Sequence, residues 1–295
     1  MPIIAIFALT TVIMAGACGG PSKNEAWTNI TTPSNSAKAS QSANDGKDMK
    51  DGFTANLPSD FTQPTDDAGR KLLKEYGAVF VARSGAVPPK VVFFMDEAAV
   101  SAFQAAAGSS RETVGGVAIE LQDAAMKALK AAVVDAEKAG TTITPRGADA
   151  AKRSYQDTVG LWKSRVDPGF DHWVKQGRVT AAEAARIRSL SPFEQVPEIF
   201  KLESDGIYFA KDLSKSIIYS VAPPGSSQHL SMLALDVSEN DNAEVRSILA
   251  QHGWFQTVVS DLPHFTFLGT KETDLPKLGL KKTTNGGRTF WVPDL

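Results

Sequence analysis

The stretch PGSSQHLSMLALD occupies residues 224–236 and decides how the last third of this chain is interpreted. Its second half alternates, so that Met232, Ala234 and Asp236 share one face of a predicted strand over residues 231–237. An aspartate in an otherwise apolar strand is costly to bury unless it is paired or binds a metal. A second stretch, DLPHFTFL at residues 261–268, again places a carboxylate and a histidine where an apolar strand begins.

The segments around these two stretches predict an α+β fold. Helical spacing and capping residues predict helices over residues 96–106, 117–139, 153–165 and 242–252, and a further one beginning after Thr180. Apolar runs predict strands over residues 78–82, 91–95, 141–144, 216–221 and 255–260. Asn285-Gly286 predicts a hairpin near the C-terminus. Because helices dominate early and strands late, we expect an antiparallel sheet with flanking helices, not a parallel βαβ sheet.

The N-terminus predicts export. Residues 2–17 are uncharged and mostly apolar, too short to span a membrane but suited to a signal peptide over residues 1–17. Small residues precede Cys18 in a pattern that resembles a bacterial lipobox, which predicts lipidation of Cys18; the alternative is a plain secretory signal with an incidental cysteine. Residues 18–66 are rich in Gly, Ser, Asn and Thr and predict a flexible tether, followed by a domain over residues 67–295.

The composition limits the chemistry. The 295 residues are 42% hydrophobic and 22% charged, with a net charge of −2, so no basic excess indicates a nucleic-acid partner. A single cysteine excludes an intrachain disulfide and a cysteine-based zinc knuckle. Any histidine-dependent site must be built from four residues: His172, His229, His252 and His264.

Two histidines and an aspartate in these stretches allow two interpretations. His229, Asp236 and His264 would suit a catalytic metal site that keeps a position for water. The alternative is a structural His–Asp pair with an unrelated surface histidine, and spacing alone does not decide between them. His252 is expected to stabilise the C-terminus of the helix over residues 242–252, and His172 to be a local or surface residue.

The pattern Ser227-x-His229-x-x-x-x-Ala234-x-Asp236, followed by Asp261-x-x-His264, resembles the zinc D-alanyl-D-alanine carboxypeptidases of the VanY type. The resemblance is strongest over residues 219–269, within a catalytic core of about 120–270, and implies the fold shared with Hedgehog-type signalling domains. It implies Zn²⁺ ligation by His229, Asp236 and His264, Asp261 as the catalytic base, and Ser227 as a substrate contact. The segment Arg153-Ser154-Tyr155 resembles the family's substrate-binding arginine segment, while Arg146 lies nearer the end of the preceding predicted strand, so both arginines remain candidates.

The chain differs from the family pattern at three positions. Met232 replaces a glycine and is expected on the metal-facing side of the strand, Asp261 replaces a glutamate, and Pro263 replaces a tryptophan. The implied function is hydrolysis of peptidoglycan stem peptides by an exported, lipid-anchored protein on the periplasmic side of a bacterial membrane. Two alternatives stay open: a catalytically impaired peptidoglycan-binding lipoprotein, in which Met232 and Asp261 mark lost activity, and a peptidoglycan endopeptidase.

Overall fold

Helices fill most of the first two thirds of the chain and short antiparallel strands fill the last third, in a computed structural model that describes residues 52–295. This order confirms the predicted α+β class. The helices are α1 (Asp67–Tyr76), α2 (Glu97–Ala107), α3 (Asp123–Lys138), α4 (Tyr155–Lys175), α5 (Ala181–Ser189), α6 (Pro192–Ser204) and α7 (Ala243–Gln251). The strands are β1 (Ser110–Val114), β2 (Val117–Leu121), β3 (Ala234–Asp236), β4 (Trp254–Phe255), β5 (His264–Phe267), β6 (Leu280–Asn285) and β7 (Arg288–Pro293).

The three-stranded sheet carries the candidate site. Its strands are antiparallel in the order β3-β5-β4, and two hairpins, β1-β2 and β6-β7, form the other sheets of the described chain. In the β3–β5 register, Asp236 lies opposite His264 and Leu235 lies opposite Phe265. Side chains alternate along a strand, so Asp236 and His264 share one face of the sheet while Leu235 and Phe265 share the other.

Helix α4 begins at a capping box that fixes the chain just before it. The Ser154 hydroxyl accepts from the backbone N–H of Asp157, and the Asp157 carboxylate accepts from the backbone N–H of Ser154. Such a reciprocal pair satisfies two of the donors that a helix N-terminus leaves free. It also holds Arg153, the residue before the cap, at a defined position beside the three-stranded sheet.

Several predicted strands are wrong. The run at residues 78–82 forms the 3-10 helix Gly77–Val81, and the run at 216–221 contains the 3-10 helix Ile217–Tyr219. Residues 91–95 form no strand, and the predicted strand 141–144 leaves only an isolated bridge between Pro145 and Val237. Apart from residues 141–144, these runs are short and mostly apolar, and the sequence of a short apolar run is the same in a strand, a turn or a short helix.

The predicted strand 255–260 is also wrong beyond Phe255, which ends the two-residue strand β4, and two turns explain two further differences in the elements. The predicted helix 117–139 starts only at Asp123, because Gly115 and Gly116, with φ of 55° and 80°, close a hairpin whose second strand is β2. The predicted C-terminal hairpin is present, but Asn285 pairs with Arg288, so its turn is Gly286-Gly287. Both glycines have positive φ, as a two-residue hairpin turn of this kind requires.

The packed domain begins earlier than the predicted boundary at residue 67. Phe53 is 2% exposed, and the Asn56 side chain donates to the carbonyl of Lys277 at 3.0 Å, so residues 52–66 pack on the domain and are not a tether. The aromatic side chain of Phe53 buries apolar surface on the domain, which the mostly polar composition of this segment did not predict. The predicted signal peptide, Cys18 and the rest of the tether lie outside the described residues and stay predictions. Within residues 52–295 no helix is both long and apolar enough to cross a bilayer.

Candidate metal centre

Three separate elements bring His229, Asp236 and His264 together. His229 lies in the 3-10 helix Gln228–Ser231, Asp236 ends β3, and His264 begins β5. The loop before His229 is fixed by Gly225, which has φ of 80° and whose carbonyl accepts from the Phe94 backbone N–H at 2.9 Å. A Cβ at residue 225 would lie 1.9 Å from the carbonyl oxygen of Phe94, so only glycine fits there.

The three side chains meet at a nearly equilateral triangle of atoms. His264 Nδ1 lies 3.2 Å from His229 Nε2 and 3.3 Å from Asp236 Oδ1, and His229 Nε2 lies 3.3 Å from Asp236 Oδ1. Tetrahedral ligands ~2.0–2.1 Å from a zinc ion lie ~3.3–3.4 Å from one another, by the geometry of a regular tetrahedron. The triangle therefore has the dimensions of one face of such a site.

The outer hydrogen bonds of the histidines determine which ring nitrogens carry protons. His229 Nδ1 lies 2.7 Å from the carbonyl of Ala151, which can only accept, so this nitrogen carries the proton. Gln228 Nε2 donates to the carbonyl of Tyr76 at 2.8 Å, which turns Gln228 Oε1 towards His264 Nε2, also at 2.8 Å. Thr266 donates to the same Oε1. His264 Nε2 is therefore the donor, and the tautomers assigned by these outer hydrogen bonds direct His229 Nε2 and His264 Nδ1 into the triangle as lone-pair donors.

The Asp236 carboxylate joins the triangle to Arg153. Burial lowers the pKa of the His229 imidazole, which favours its neutral form. Asp236 Oδ2 accepts from Arg153 Nη2 at 2.9 Å while Oδ1 lies in the triangle. One carboxylate oxygen is thus fixed by a guanidinium and the other is free to bind a cation.

These observations fit a divalent metal ion. In these tautomers two imidazole lone pairs and one carboxylate oxygen lie 3.2–3.3 Å apart, an arrangement that a bound cation stabilises. Each histidine also donates its other N–H to a fixed oxygen, which is how proteins orient metal-binding imidazoles. Of the two interpretations left open by spacing, the geometry supports the metal site.

A cavity of about 270 Å³ adjoins the triangle. Its walls include Arg153, Ser227, Asp261, Tyr76 and Arg165, together with His229 and His264. Ser227 is 8% exposed and its hydroxyl forms no hydrogen bond within residues 52–295, while Asp261 is exposed and begins the turn that leads into β5. The predicted site residues Ser227, Asp261 and Arg153 therefore border the same space as the two predicted histidine ligands.

Arg146 and Met232 do not reach this cavity. The Arg146 backbone N–H donates to the carbonyl of Asp236 at 2.9 Å, but its side chain is exposed and does not line the cavity. Met232 was expected to face the metal from a strand, and this is wrong. It follows the 3-10 helix that carries His229, with φ of 57°, and is fully buried away from the cavity. Its left-handed backbone accounts physically for a glycine in the family pattern.

Sequence reasoning missed the residues that support the ligands. Gln228 fixes His264, and Gln104 on α2 donates to the carbonyls of Arg153 at 2.9 Å and Leu230 at 3.1 Å, which ties together the two segments on either side of His229. Tyr76 on α1 contributes both a wall of the cavity and the carbonyl that orients Gln228. The one available signal was that Gln228 is adjacent to a predicted ligand.

The other two histidines are structural. His252 follows the last residue of α7, and its Nε2 lies 2.8 Å from Asp135 Oδ2 on α3, which agrees with the predicted role at the helix C-terminus. His172 lies in α4 with its ring edge-on to Trp173. Neither belongs to a cluster of metal-ligating residues in the part of the chain that the structure describes.

Fold and site together define an α+β protein with a His–Asp–His cluster that could hold a metal ion and that adjoins a cavity. Among solved structures, one match is a mutant of the vancomycin resistance D,D-pentapeptidase VanY, from a VanB-type resistance cassette and in complex with Zn(II). It is 15% identical, with a TM-score of 0.31, over 56% of this chain and 82% of that one. No family model matches the sequence. The comparison with curated proteins also found no match.

Proposed function

We propose that this chain is a zinc metallopeptidase that hydrolyses D-alanyl-D-alanine-type bonds in peptidoglycan stem peptides. The observation that carries the proposal is the triangle of His229, Asp236 and His264, whose lone pairs face one point beside a cavity. Two nitrogens and one oxygen are the donor set of catalytic zinc sites, which keep a further position for water or substrate. The substrate class is supported by the resemblance of the two-part motif.

The chemistry that zinc supplies in such a site is Lewis acidity, which lowers the pKa of water and polarises a carbonyl group. The chain supplies the ligands, their orientation and a water-restricted setting: His229 is 2% exposed and His264 is 4% exposed. Burial of the imidazoles keeps solvent from competing for their lone pairs, and the fixed outer hydrogen bonds prevent the rings from rotating.

Asp261 is the candidate for proton transfer. It lines the cavity but is not in the triangle, so its carboxylate can accept a proton from water and return that proton to the leaving amine. The turn that carries it is held by the His264 backbone N–H, which donates to the Asp261 carbonyl at 3.2 Å. Its position three residues before a metal ligand links the proton-transfer group to β5.

Arg153, Arg165 and Ser227 are the candidates for substrate binding. Arg153 uses Nη2 for Asp236 and Nε for the Asp149 carbonyl at 3.0 Å, which leaves Nη1 for a substrate oxygen. Arg165 lines the same cavity and donates to the Ser220 hydroxyl at 2.8 Å, without an ion pair among the described residues. A second guanidinium favours a substrate with a free terminal carboxylate, as in a carboxypeptidase.

The test is D-alanine release from a stem pentapeptide by the zinc-loaded full-length chain. Asp261→Asn is expected to lower kcat about a hundredfold or more while zinc affinity stays unchanged, because it removes the proton acceptor but no ligand. Asp205→Asn, at an exposed aspartate away from the cavity, is the matched control. Unchanged activity of Asp261→Asn would refute its role. Zinc binding without turnover would favour the impaired binding protein, and cleavage only within cross-linked muropeptides would favour the endopeptidase.

Location in the bacterial cell envelope, with lipid attachment at Cys18, belongs to the same proposal and is supported by the sequence pattern alone. Metabolic labelling with a radioactive or clickable fatty acid tests it: the wild-type chain is expected to carry the label and Cys18→Ala to lack it. Label on both chains, or on neither, would contradict the predicted lipid anchor.

A further inference from the structure

A second cavity, of about 570 Å³, lies on the opposite face of the three-stranded sheet from the metal centre. Phe265 lines it, whereas His264, the preceding residue of β5, lines the metal-centre cavity. Alternation along the strand sends these two side chains to opposite faces. The walls come from α7, β4 and the β6-β7 hairpin, and we call this space the arginine cavity because Arg246 and Arg288 line it.

One asparagine holds both guanidinium groups. The backbone carbonyl of Asn240 accepts from Arg246 Nη1 at 2.9 Å, and its side-chain Oδ1 accepts from Arg288 Nη1 at 2.7 Å. Asn240 Nδ2 donates to the Val237 carbonyl at 3.0 Å, which fixes the orientation of that amide. Two like charges from distant parts of the chain are therefore held beside each other by neutral acceptors.

Neither guanidinium is neutralised by a carboxylate. Within residues 52–295, Arg246 and Arg288 form no ion pair. Burial and the nearby Arg288 lower the pKa of Arg246, although Asp241 acts in the opposite direction. Lys271 and Glu272 also line the cavity, so three cationic side chains face one anionic side chain. Such an arrangement attracts an anion.

Aromatic side chains and unpaired polar atoms lie in the walls of the arginine cavity. Trp254, Phe255, Phe265 and Trp291 line it. The indole N–H of Trp254 and the Oε1 of Gln256 are buried and have no hydrogen-bond partner in the described chain. Buried polar groups are nearly always paired, so these two atoms are exceptions, and their lack of accessible surface places them behind the lining of this cavity.

We propose that the arginine cavity binds an organic phosphate ester. Planar guanidinium groups match phosphate oxygens in two-pronged hydrogen bonds, and a phosphate has more acceptor oxygens to share between two arginines than a carboxylate has. The aromatic walls suit the organic part of the ester, and the volume falls in the ~300–1,000 Å³ range of small-molecule sites. The proposal is independent of the peptidase function, because the metal ligands do not contribute to this cavity.

The test titrates phenyl phosphate, inorganic phosphate and phenylacetate into the zinc-loaded full-length chain, followed by calorimetry and by tryptophan fluorescence. Phenyl phosphate is expected to saturate one site and to bind about tenfold more tightly than either of the other two, since only it combines the anion with the ring. A fluorescence change is expected because Trp254 and Trp291 line the cavity. Absence of saturable binding, or equal binding of all three compounds, would overturn the proposal.

Variants locate the binding. Arg288→Gln and Arg246→Gln are each expected to weaken phenyl phosphate binding about tenfold or more, because each removes a charge-assisted hydrogen-bond donor. Arg111→Gln, at an exposed arginine of β1 outside the cavity, is the matched control and should bind as the wild type does. Thermal unfolding identifies any variant that fails to fold. Full binding in both folded cavity variants would place the ligand elsewhere and refute the assignment.

Discussion

The side chains on the two faces of the three-stranded sheet attract ions of opposite charge. On one face, His229, Asp236 and His264 direct electron pairs at a common point and call for a cation. On the other, Arg246 and Arg288 lie side by side without a carboxylate and call for an anion. Strand β5 contributes to both through consecutive residues. A short antiparallel strand can thus separate two sites of opposite charge by side-chain alternation alone.

The largest effect on the metal-binding face is expected when a candidate metal ligand is removed. His264→Ala is expected to lower zinc affinity by more than about a hundredfold, since losing a ligand costs more than losing a residue that only orients one. Phenyl phosphate binding should be unchanged, because His264 does not line the arginine cavity. Chelator competition measures the first quantity and calorimetry the second.

His252→Ala is the matched control for that experiment. His252 contacts Asp135 and lies outside the metal triangle, so zinc affinity should match the wild type. If both histidine variants lost zinc equally, the triangle would not be the binding site. If His264→Ala also lost phenyl phosphate, the two faces would not be independent.

A smaller effect is expected from the residue that orients His264. Gln228→Ala removes the acceptor for His264 Nε2 and the link to the Tyr76 carbonyl. Zinc affinity should fall about 10–100-fold, the range found when a partner of a metal-binding histidine is lost. Gln176→Ala, an exposed residue at the end of α4, is the control. Wild-type zinc affinity in Gln228→Ala would show that the ring does not need this partner.

The metal face was more predictable from sequence than the arginine face. His229, Asp236 and His264 lie within a short span and match a spaced motif, so their convergence could be predicted even though His229 lies in a 3-10 helix. Arg246, Arg288 and Asn240 match no motif, and their association depends on how α7 and the β6-β7 hairpin pack. The α+β class followed from element order, whereas buried apolar runs misled the strand assignments because burial on all sides removes periodicity.

A variant at Met232 tests whether having methionine in place of the family's glycine weakens zinc binding. Met232→Gly relieves a left-handed backbone, worth ~1–2 kcal/mol, but removes a fully buried side chain, which costs about 2–5 kcal/mol. The free energy of unfolding should therefore fall by roughly 1–3 kcal/mol while zinc affinity is retained. Denaturant unfolding with zinc titration checks both. Higher stability, or a change in zinc affinity, would contradict the position of this side chain.

The smallest expected effect compares the half-buried Glu75 with the buried Glu203. Burial raises the pKa of Glu75, opposed by Lys71 and Lys74, and its Oε1 has no partner in the described chain. Burial also raises the pKa of Glu203, but this carboxylate accepts from the Ile217 N–H at 2.6 Å and from Ser216. A raised folded pKa means that the folded chain binds the proton more tightly, so stability falls as the pH rises above the ordinary value of 4.5.

Glu75→Gln should abolish the fall in stability that Glu75 causes as the pH rises. It should therefore raise the free energy of unfolding at pH 7 by roughly 1 kcal/mol, with little gain at pH 4. Glu203→Gln should lower it by roughly 1–3 kcal/mol, because the amide cannot accept on both atoms. Denaturant unfolding at the two pH values measures both. If both substitutions changed the free energy of unfolding equally, the hydrogen bonds of Glu203 would not account for a difference between the two glutamates.

The central claim is the metal triangle, and anomalous diffraction at the zinc absorption edge tests it most directly. Crystals of the zinc-loaded full-length chain should show one strong peak ~2.0–2.2 Å from His229 Nε2, an Asp236 carboxylate oxygen and His264 Nδ1. A peak at another position, or none in a chain that has folded, would contradict the account of this protein as a zinc-dependent hydrolase.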